Sequence, residues 1–349
     1  MASRLKAPTG KAAPYEILIG TGGIGHGYLF DLEGDDTLGR EESRAARLRE
    51  ARDYCKLHII AHYPAVLLPP PFRVVPVGAV GNDEPGARLL REMNGAGMDT
   101  TLVRTIERTP TTLSVCFQYP DGTGGNLTAA DAASARVTPA DIERARPLFE
   151  RHRGRGIALA APEVPLDARA ALLEMATEYG FFRATSFTPG EIREAIATGL
   201  FHHLDLVSIN MEEARALLGA APGAPLRGVL PAAMQVLRRN QPACQIIVTN
   251  GERGAYGLEP AADAMKTHFV HARPAAVLGT AGAGDAFLAG LLTGLAAGLG
   301  FADRLEFANL LASAKVESEH TIHPGLDADA LRRHAEVTGP LPQAVSRLL

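Results

Sequence analysis

The stretch Gly279-Thr-Ala-Gly-Ala-Gly-Asp-Ala-Phe287 joins one apolar segment to another. Its small residues predict a tight turn from a strand into a helix, because glycine tolerates conformations that other residues resist. The backbone N–H groups of Ala283, Gly284 and Asp285 would then point at one place at the helix N-terminus, which suits an anion. Asp285 is the only charge in residues 274–302, and a carboxylate there can accept a proton from a hydroxyl. Alternatively, Asp285 is only a first-turn acid that interacts favourably with the helix dipole.

Strands and helices alternate in the chain that leads to this turn. Each βα unit pairs a β-rich apolar run with a helical pattern. The predicted strands are 157–161, 181–187, 205–209, 246–249 and one before the 279–287 turn, and the predicted helices are 166–179, 191–198, 211–218, one after the turn and 305–316. Repeated βα units predict a mostly parallel sheet with helices on both faces.

The first third of the chain has a different pattern. Residues 15–20 and 73–80 read as strands, and 86–97 as a helix ended by glycine. The charged segment 34–53 shows a helical pattern after Gly39. Two alternating β-rich runs, 101–106 and 111–119, predict an antiparallel pair inserted early in the chain. Residues 1–13 are predicted to be a mobile tail, and 14–349 one domain.

Composition excludes several classes of protein. The chain has 349 residues, 46% of them hydrophobic and 21% charged, which excludes disorder of the whole chain. A formal net charge of −4 gives no basic excess for nucleic acid or anionic membranes. Only three cysteines, far apart, favour a reducing cytosol and hence a cytoplasmic protein. The stretch 274–302, with Asp285 as its single charge, is broken by Pro274 and glycines, so a membrane span is not expected.

Two other patterns have more ordinary explanations. Gly20-Thr-Gly-Gly-Ile-Gly25 matches a dinucleotide-binding pattern, but the acids and glycine that follow do not predict the required helix. A tight strand-end turn where the backbone meets a ligand is favoured instead. Cys55, His58 and His62 would share a helix face and could bind a metal. The apolar residues around them favour buried histidines.

Two further segments each have a functional and a structural interpretation. Asn210 and Glu213 follow a predicted strand, where an amide and a carboxylate can organise Mg²⁺ and its waters. They would also serve as an N-cap and a first-turn acid. The loop Thr249-Asn-Gly251-Glu-Arg-Gly254 suits phosphates but also fits an ordinary hairpin turn.

Taken in order, these motifs resemble the ribokinase-like (PfkB) carbohydrate kinase family over roughly residues 72–335. The segments that carry the resemblance are 279–287, 77–103, Glu163-Val-Pro-Leu166, 210–213 and 249–254. The resemblance implies an α/β, ribokinase-like fold with a mostly parallel central sheet, helices on both faces, and a small β lid drawn from about 15–45 and 100–122. Because that lid often doubles as a dimer contact, a homodimer is a further expectation.

The resemblance implies ATP-dependent phosphorylation of a hydroxyl on a sugar or sugar-like substrate. Asp285 would be the base, and the backbone of Gly282, Ala283, Gly284 and Asp285 would form the anion hole. The nucleotide-side residues would be Asn210 and Glu213, which organise Mg²⁺ and phosphates through water, Thr249, Gly251 and Gly254 beside the nucleotide, and Asn309 near the adenine. Glu163 would face the substrate.

The sequence departs from the family pattern in three places. Gly25 lies near the position where the family usually has an acid that contacts the sugar. The family's GGxxxN segment is also missing. Gly279 replaces the Asp that in many relatives helps to hold a monovalent cation, which leaves K⁺ doubtful as a cofactor. The candidates to bind the substrate instead are Asp31, Asp35, Arg40, Arg44 and Asn126. A nucleoside kinase, or a non-catalytic ligand sensor on this scaffold, are the alternatives.

Overall fold

The computed structural model describes residues 3–6, 13–121, 123–220, 228–261 and 265–349. The strands are β1 Ile17–Thr21, β2 Gly25–Leu32, β3 Ala46–Leu48, β4 Asp53–Tyr54, β5 Arg73–Gly81, β6 Val103–Ile106, β7 Thr112–Gln118, β8 Gly124–Thr128, β9 Gly156–Ala160, β10 Phe182–Ser186, β11 Leu206–Asn210, β12 Gln245–Thr249, β13 Ala255–Pro260 and β14 Met265–Val270. The helices are α1 Lys56–Leu67, α2 Glu84–Gly95, α3 Pro139–Glu143, α4 Arg146–Arg151, α5 Leu166–Glu178, α6 Ile192–Ala197, α7 Met211–Leu218, α8 Val229–Asn240, α9 Ala283–Ala296, α10 Phe301–Lys315, α11 Ala328–Thr338 and α12 Gln343–Leu348.

Nine strands form the central sheet in the order β14-β13-β12-β11-β10-β9-β1-β5-β6. Seven of them, from β12 to β6, run parallel, and β13 and β14 form an antiparallel edge. Helices α1, α2 and α9–α12 pack on one face over one apolar core, and α3–α8 pack on the other over a second core. The predicted α/β class, with a mostly parallel sheet and helices on both faces, is confirmed.

A second, smaller sheet has the order β3-β2-β7-β8, with β4 also paired to β2. The predicted antiparallel pairing of 101–106 with 111–119 is wrong. Strand β6 lies parallel to β5 in the central sheet, whereas β7 lies parallel to β2 in the smaller one. The side chain of Arg104, in β6, donates to the Arg136 carbonyl at 2.8 Å and to Asp141 at 3.0 Å. These contacts tie β6 to α3 and to the residues just before it. Alternation alone cannot identify a strand's partner.

Two predictions are wrong, the helix after Gly39 and the strand before the 279–287 turn, because tertiary contacts give these segments other backbone partners. The helical pattern after Gly39 forms the short strands β3 and β4 instead, and Arg47 and Arg49 pair across the sheet with Asp31. No ladder strand forms in residues 271–282, which the structure describes in full. There the N–H groups of Leu278 and Gly279 both donate to the Val316 carbonyl.

The segment 3–6 packs against the domain, contrary to the predicted mobile tail. Leu5 is 2% exposed, and its N–H donates to the Leu67 carbonyl at 2.8 Å. The Ser3 N–H donates to Asp327, and the Lys6 N–H to the Leu348 carbonyl. Residues 7–12, which the same prediction covers, lie outside the described residues.

Within the described ranges, no helix combines the length and the apolar character needed to cross a bilayer.

Candidate active site

The sequence-predicted residues converge at the carboxyl ends of the parallel strands, the usual ligand edge of an α/β sheet. Asn210 ends β11 and lies directly opposite Thr249, which ends β12. Glu163 follows β9 by three residues, and Asp285 lies in the first turn of α9. Segments that are more than a hundred residues apart in the chain therefore meet at one edge.

The glycine loop (residues 279–285) enters α9 through a residue that must be glycine. Gly282 is the N-cap with φ of +79°, and a Cβ there would lie 2.6 Å from the Thr321 carbonyl oxygen. The Ala283 N–H donates to the Thr280 carbonyl at 3.1 Å, so it is turned into the loop. Of the three donors that the sequence suggested, Gly284 and Asp285 remain in the first turn, where N–H groups have no acceptor within the helix.

Asp285 faces a lysine that sequence reasoning missed. Lys56 is the first residue of α1, and its Nζ lies 3.4 Å from Asp285 Oδ1. Only 12% of the Asp285 side chain and 26% of the Lys56 side chain are exposed. The carboxylate of Asp285 raises the pKa of Lys56, so the ammonium stays charged. The ammonium therefore compensates the charge of a carboxylate that is largely removed from solvent.

Glu163 holds the start of α1. Its Oε2 accepts the Lys56 backbone N–H at 3.0 Å. Burial raises the pKa of Glu163 to about 7, and the Lys56 charge opposes that rise. The residue has φ of +72°, which is unusual for a side chain other than glycine and is a form of backbone strain common at functional sites. The strain is maintained because the carboxylate is held by α1.

Asn210 and Glu213 form a reciprocal cap on α7. The Glu213 N–H donates to Asn210 Oδ1 at 2.9 Å, and the Asn210 N–H donates back to Glu213 Oε2 at 2.8 Å. The N-cap interpretation is therefore confirmed. Burial raises the pKa of Glu213 to about 7, and Lys56 opposes that rise. A buried carboxylate whose two oxygens already accept hydrogen bonds fits a magnesium ion held through water rather than by direct ligation.

The residues predicted to border the nucleotide lie at two places, the hairpin between β12 and β13 and helix α10. Gly251 has φ of +53° and is exposed. Gly254 has φ of +107°, and a Cβ there would lie 1.9 Å from the Val270 carbonyl oxygen, so the hairpin itself requires glycine. Buried Asn309 donates from Nδ2 to the His271 carbonyl at 2.8 Å, which fastens α10 to the chain after β14.

The candidate substrate residues fall on the smaller sheet and the loop beside it. Asp31 is ion-paired with Arg47 and Arg49, and Arg44 donates to Glu42 and to the Asp36 carbonyl. Asp35 and Arg40 are exposed. Asn126 is exposed and lies opposite Cys116 on β7. The structure thus engages Asp31 and Arg44 within the sheet and its loop, and it brings none of the five into contact with Asp285.

The glycines at the mouth of β1 meet the chain's own side chains. A Cβ on Gly23 would lie 2.4 Å from Glu163 Oε2, and one on Gly27 would lie 2.0 Å from Asp53 Oδ2. Asp53, also missed by sequence reasoning, is 6% exposed and accepts from Ser114 Oγ at 2.7 Å. Burial raises the pKa of Asp53. Acidic side chains of the chain therefore occupy the space beside these two glycines.

The two alternative motifs lack their required surroundings. Strand β1 is followed by strand β2 rather than by a helix, which removes the dinucleotide-binding arrangement. His58 and His62 lie on α1, and burial lowers the pKa of His58 to about 3 and that of His62 to about 4. Among the described residues, no group of three or more His, Cys, Asp or Glu side chains could hold a metal ion.

Solved structures with the same architecture are kinases. The ribokinase from Cryptococcus neoformans var. grubii serotype A, in complex with ADP, has a TM-score of 0.74 at 21% identity, covering 92% of this chain and 100% of that chain. The ribokinase from Giardia lamblia has a TM-score of 0.77 at 16% identity, covering 92% and 98%. A nucleoside kinase from Burkholderia thailandensis, in complex with inosine, has a TM-score of 0.71 at 17% identity, covering 93% and 99%. These likenesses show a shared fold.

A family model adds evidence from the sequence itself. The model described as pfkB family carbohydrate kinase matches residues 60–329, which is more than half of the chain. The matched range includes the later part of α1, the glycine loop and the ends of β11 and β12. The protein therefore belongs to the pfkB family of carbohydrate kinases.

Proposed function

We propose that this protein is an ATP- and Mg²⁺-dependent kinase that transfers the γ-phosphoryl group of ATP to a hydroxyl of a sugar or sugar-like substrate. The observation that carries the proposal is the position of Asp285. It combines a partly buried carboxylate, the free N–H groups at the start of α9, and the Lys56 ammonium at 3.4 Å. Positioning and charge stabilisation of this kind account for most catalysis of phosphoryl transfer.

The reaction follows from these groups. Asp285 accepts the proton of the acceptor hydroxyl while the new O–P bond forms. The bond between the β–γ bridging oxygen and the γ-phosphorus breaks, and ADP leaves with the electron pair. The N–H groups of Gly284 and Asp285 stabilise the charge on the transferring group. Bound magnesium would neutralise phosphate charge, with Asn210 and Glu213 holding its waters.

Lys56 gives the site a charge balance that the sequence motif does not contain. It faces Asp285, and its charge also acts on Glu163 and Glu213. One ammonium thus links the proposed base with the residues proposed for the substrate and the metal.

The test is the Asp285→Asn variant, with Asp303→Asn in the first turn of α10 as the control. The site variant should lose activity by roughly 10³-fold or more while it still binds ADP, since only the base is removed. The control should keep its activity. An Asp285→Asn enzyme that turns over at the wild-type rate would rule out the base.

A screen of acceptors identifies the chemical class of the substrate. Sugars, polyols and nucleosides are each offered with MgATP, and ADP release is recorded. A nucleoside kinase, the nearest alternative, is favoured by the likeness to the Burkholderia thailandensis enzyme. Binding of acceptors without ADP release from any of them would favour a ligand sensor over a kinase.

We further propose that the smaller sheet is a lid and that its outer face forms a homodimer contact. Opposite residues in neighbouring strands share a face, and Tyr28, Val115 and Leu127 are opposite one another across β2, β7 and β8. Leu127 is 69% exposed, Leu48 52% and Tyr28 47%. An apolar face of a sheet that projects into solvent is typical of an association surface.

A further inference from the structure

A second lysine contacts the glycine loop through the carbonyl oxygens of the loop. Lys315 is the last residue of α10, and its side chain is fully buried. Its Nζ donates to the carbonyl oxygens of Gly279, at 3.1 Å, and Ala281. Burying an ammonium is costly unless it is hydrogen-bonded, so these two bonds keep the charge in place.

The carbonyls that Lys315 binds set the direction of the Thr280 and Gly282 N–H groups, which lead into the first turn of α9. In a planar trans peptide the C=O and N–H groups point in opposite directions. Since the Ala281 carbonyl points at the ammonium, the Gly282 N–H of the same peptide points away from it. Burial lowers the pKa of Lys315 to about 8, while Asp285 and Asp53 oppose that shift. The group therefore carries its charge at neutral pH.

The residues present do not fit a free monovalent cation at this loop. Gly279, which stands where many relatives have a cation-binding acid, has no side chain that could serve as a ligand. Its carbonyl oxygen and that of Ala281 already accept from Lys315. A cation would have to displace a buried ammonium from both oxygens.

The composition of the chain supports a specific need for lysine here. The protein has five lysines against 30 arginines. Of the three lysines after residue 11, Lys56 and Lys315 are at the site, and Lys266 is exposed on β14. An ammonium is a compact point charge, whereas a guanidinium is broad and planar. A space between two carbonyl oxygens under a loop suits the compact group.

We propose that Lys315 is a positioning residue whose ammonium takes the place of a free monovalent cation beneath the glycine loop, so that the reaction needs no K⁺. The inference rests on the proposed kinase function. In physical terms, the tethered ammonium holds the carbonyls of Gly279 and Ala281 towards itself, so that the N–H groups of Thr280 and Gly282 point away from it.

The experiment compares two variants that differ in the space they leave. Lys315→Ala opens a cavity that K⁺, NH₄⁺ or propylammonium can enter, whereas Lys315→Met fills it with an uncharged chain. Lys266→Met is the control for loss of a lysine. Each protein is assayed in choline chloride and then with each added cation. Melting temperatures are recorded in the same buffers without substrate.

For the wild type and Lys266→Met, we expect turnover and melting temperature to be the same, within about twofold and about 1 °C, in choline and in K⁺. Lys315→Ala should lose about 100-fold in kcat in choline, with a small change in the KM for ATP. Added cations should restore most of that loss and raise its melting temperature, because they bind the folded loop. Lys315→Met should be equally slow and should not respond.

Three results would overturn the inference: tenfold activation of the wild type by K⁺, full activity of Lys315→Ala in choline, or failure of every cation to shift either activity or melting of that variant. The melting measurements separate this inference from the proposed function. If no acceptor is ever phosphorylated, a cation-dependent melting temperature in Lys315→Ala alone still supports the tethered charge.

Discussion

The two sides of the site are built in different ways. The proposed phosphate side (Asn210, Glu213, Thr249 and the glycine loop) consists of turns and caps that are local in sequence. The proposed acceptor side (Gly23, Gly27, Asp53, Lys56 and Glu163) is assembled from residues of three separate segments of the chain. The difference shows that turns and caps can be predicted from a short stretch of sequence. A pocket assembled from residues far apart in the chain cannot.

The strongest test of the comparison is Lys56→Met, because Lys56 acts on both sides. We expect kcat/KM to fall roughly 100-fold, since the charge beside Asp285 is lost. Burial raises the pKa of Glu163 and of Glu213 to about 7, and Lys56 opposes both rises. Without it both pKa values rise further, so the acid limb of the pH–rate profile should move to higher pH. Lys266→Met provides the matched control, and an unshifted acid limb would contradict the electrostatic link.

A smaller effect is expected from Gly27→Ala on the acceptor side. The new Cβ would lie 2.0 Å from Asp53 Oδ2 and 2.3 Å from Ser114 Oγ, so Asp53 must move. We expect a loss of about 1–3 kcal/mol in the free energy of unfolding. The KM for the acceptor should rise about tenfold while the KM for ATP stays the same. Gly39→Ala, where the nearest atom is 3.5 Å away, should change neither quantity. Equal rises in both KM values would show that the two sides are not separable.

Glu213→Gln tests the phosphate side through stability. Because burial raises the pKa of Glu213 from 4.5 to about 7, the folded protein binds more protons than the unfolded chain between those values. This group therefore reduces stability as pH rises from 4.5 to 7. The free energy of unfolding of both proteins is measured in urea at pH 5 and pH 8. Relative to the wild type, the variant should be more stable at pH 8 than at pH 5 by on the order of 1 kcal/mol. A pH-independent difference would show that Glu213 keeps an ordinary pKa.

The smallest effect on stability is expected from Leu127→Lys on the outer face of the smaller sheet. A charge there should convert a dimer to a monomer, as measured by light scattering, while the free energy of unfolding of the monomer changes by less than about 0.5 kcal/mol. Val337→Lys is the control, because Val337 is 81% exposed but lies on α11, away from that sheet. A wild type that is already monomeric at high concentration would rule out the proposed contact.

Much of the fold could be predicted because its signals are local. The βα alternation identifies the parallel strands and their helices, and helix α7 begins and ends where the pattern predicts it, at Met211 and Leu218. The partners of β6 and β7 could not be predicted. Each strand shows the same alternation of apolar and polar residues whichever sheet it joins. The short strand β3 pairs with β2, where Arg47 and Arg49 contact Asp31, and β4 pairs with His26 and Gly27 of the same strand. No local pattern encodes these contacts.

The sequence by itself determined the family, the glycine loop with its Asp285, and the cap of Asn210 and Glu213, because each is a short motif whose geometry follows from neighbouring residues. Only the tertiary structure placed Lys56 against Asp285 and Lys315 beneath the loop. Those contacts span more than 200 residues in one case and 36 in the other. A charge is positioned by the elements packed around it, and the sheet with its helices decides which lysine reaches which side of the glycine loop.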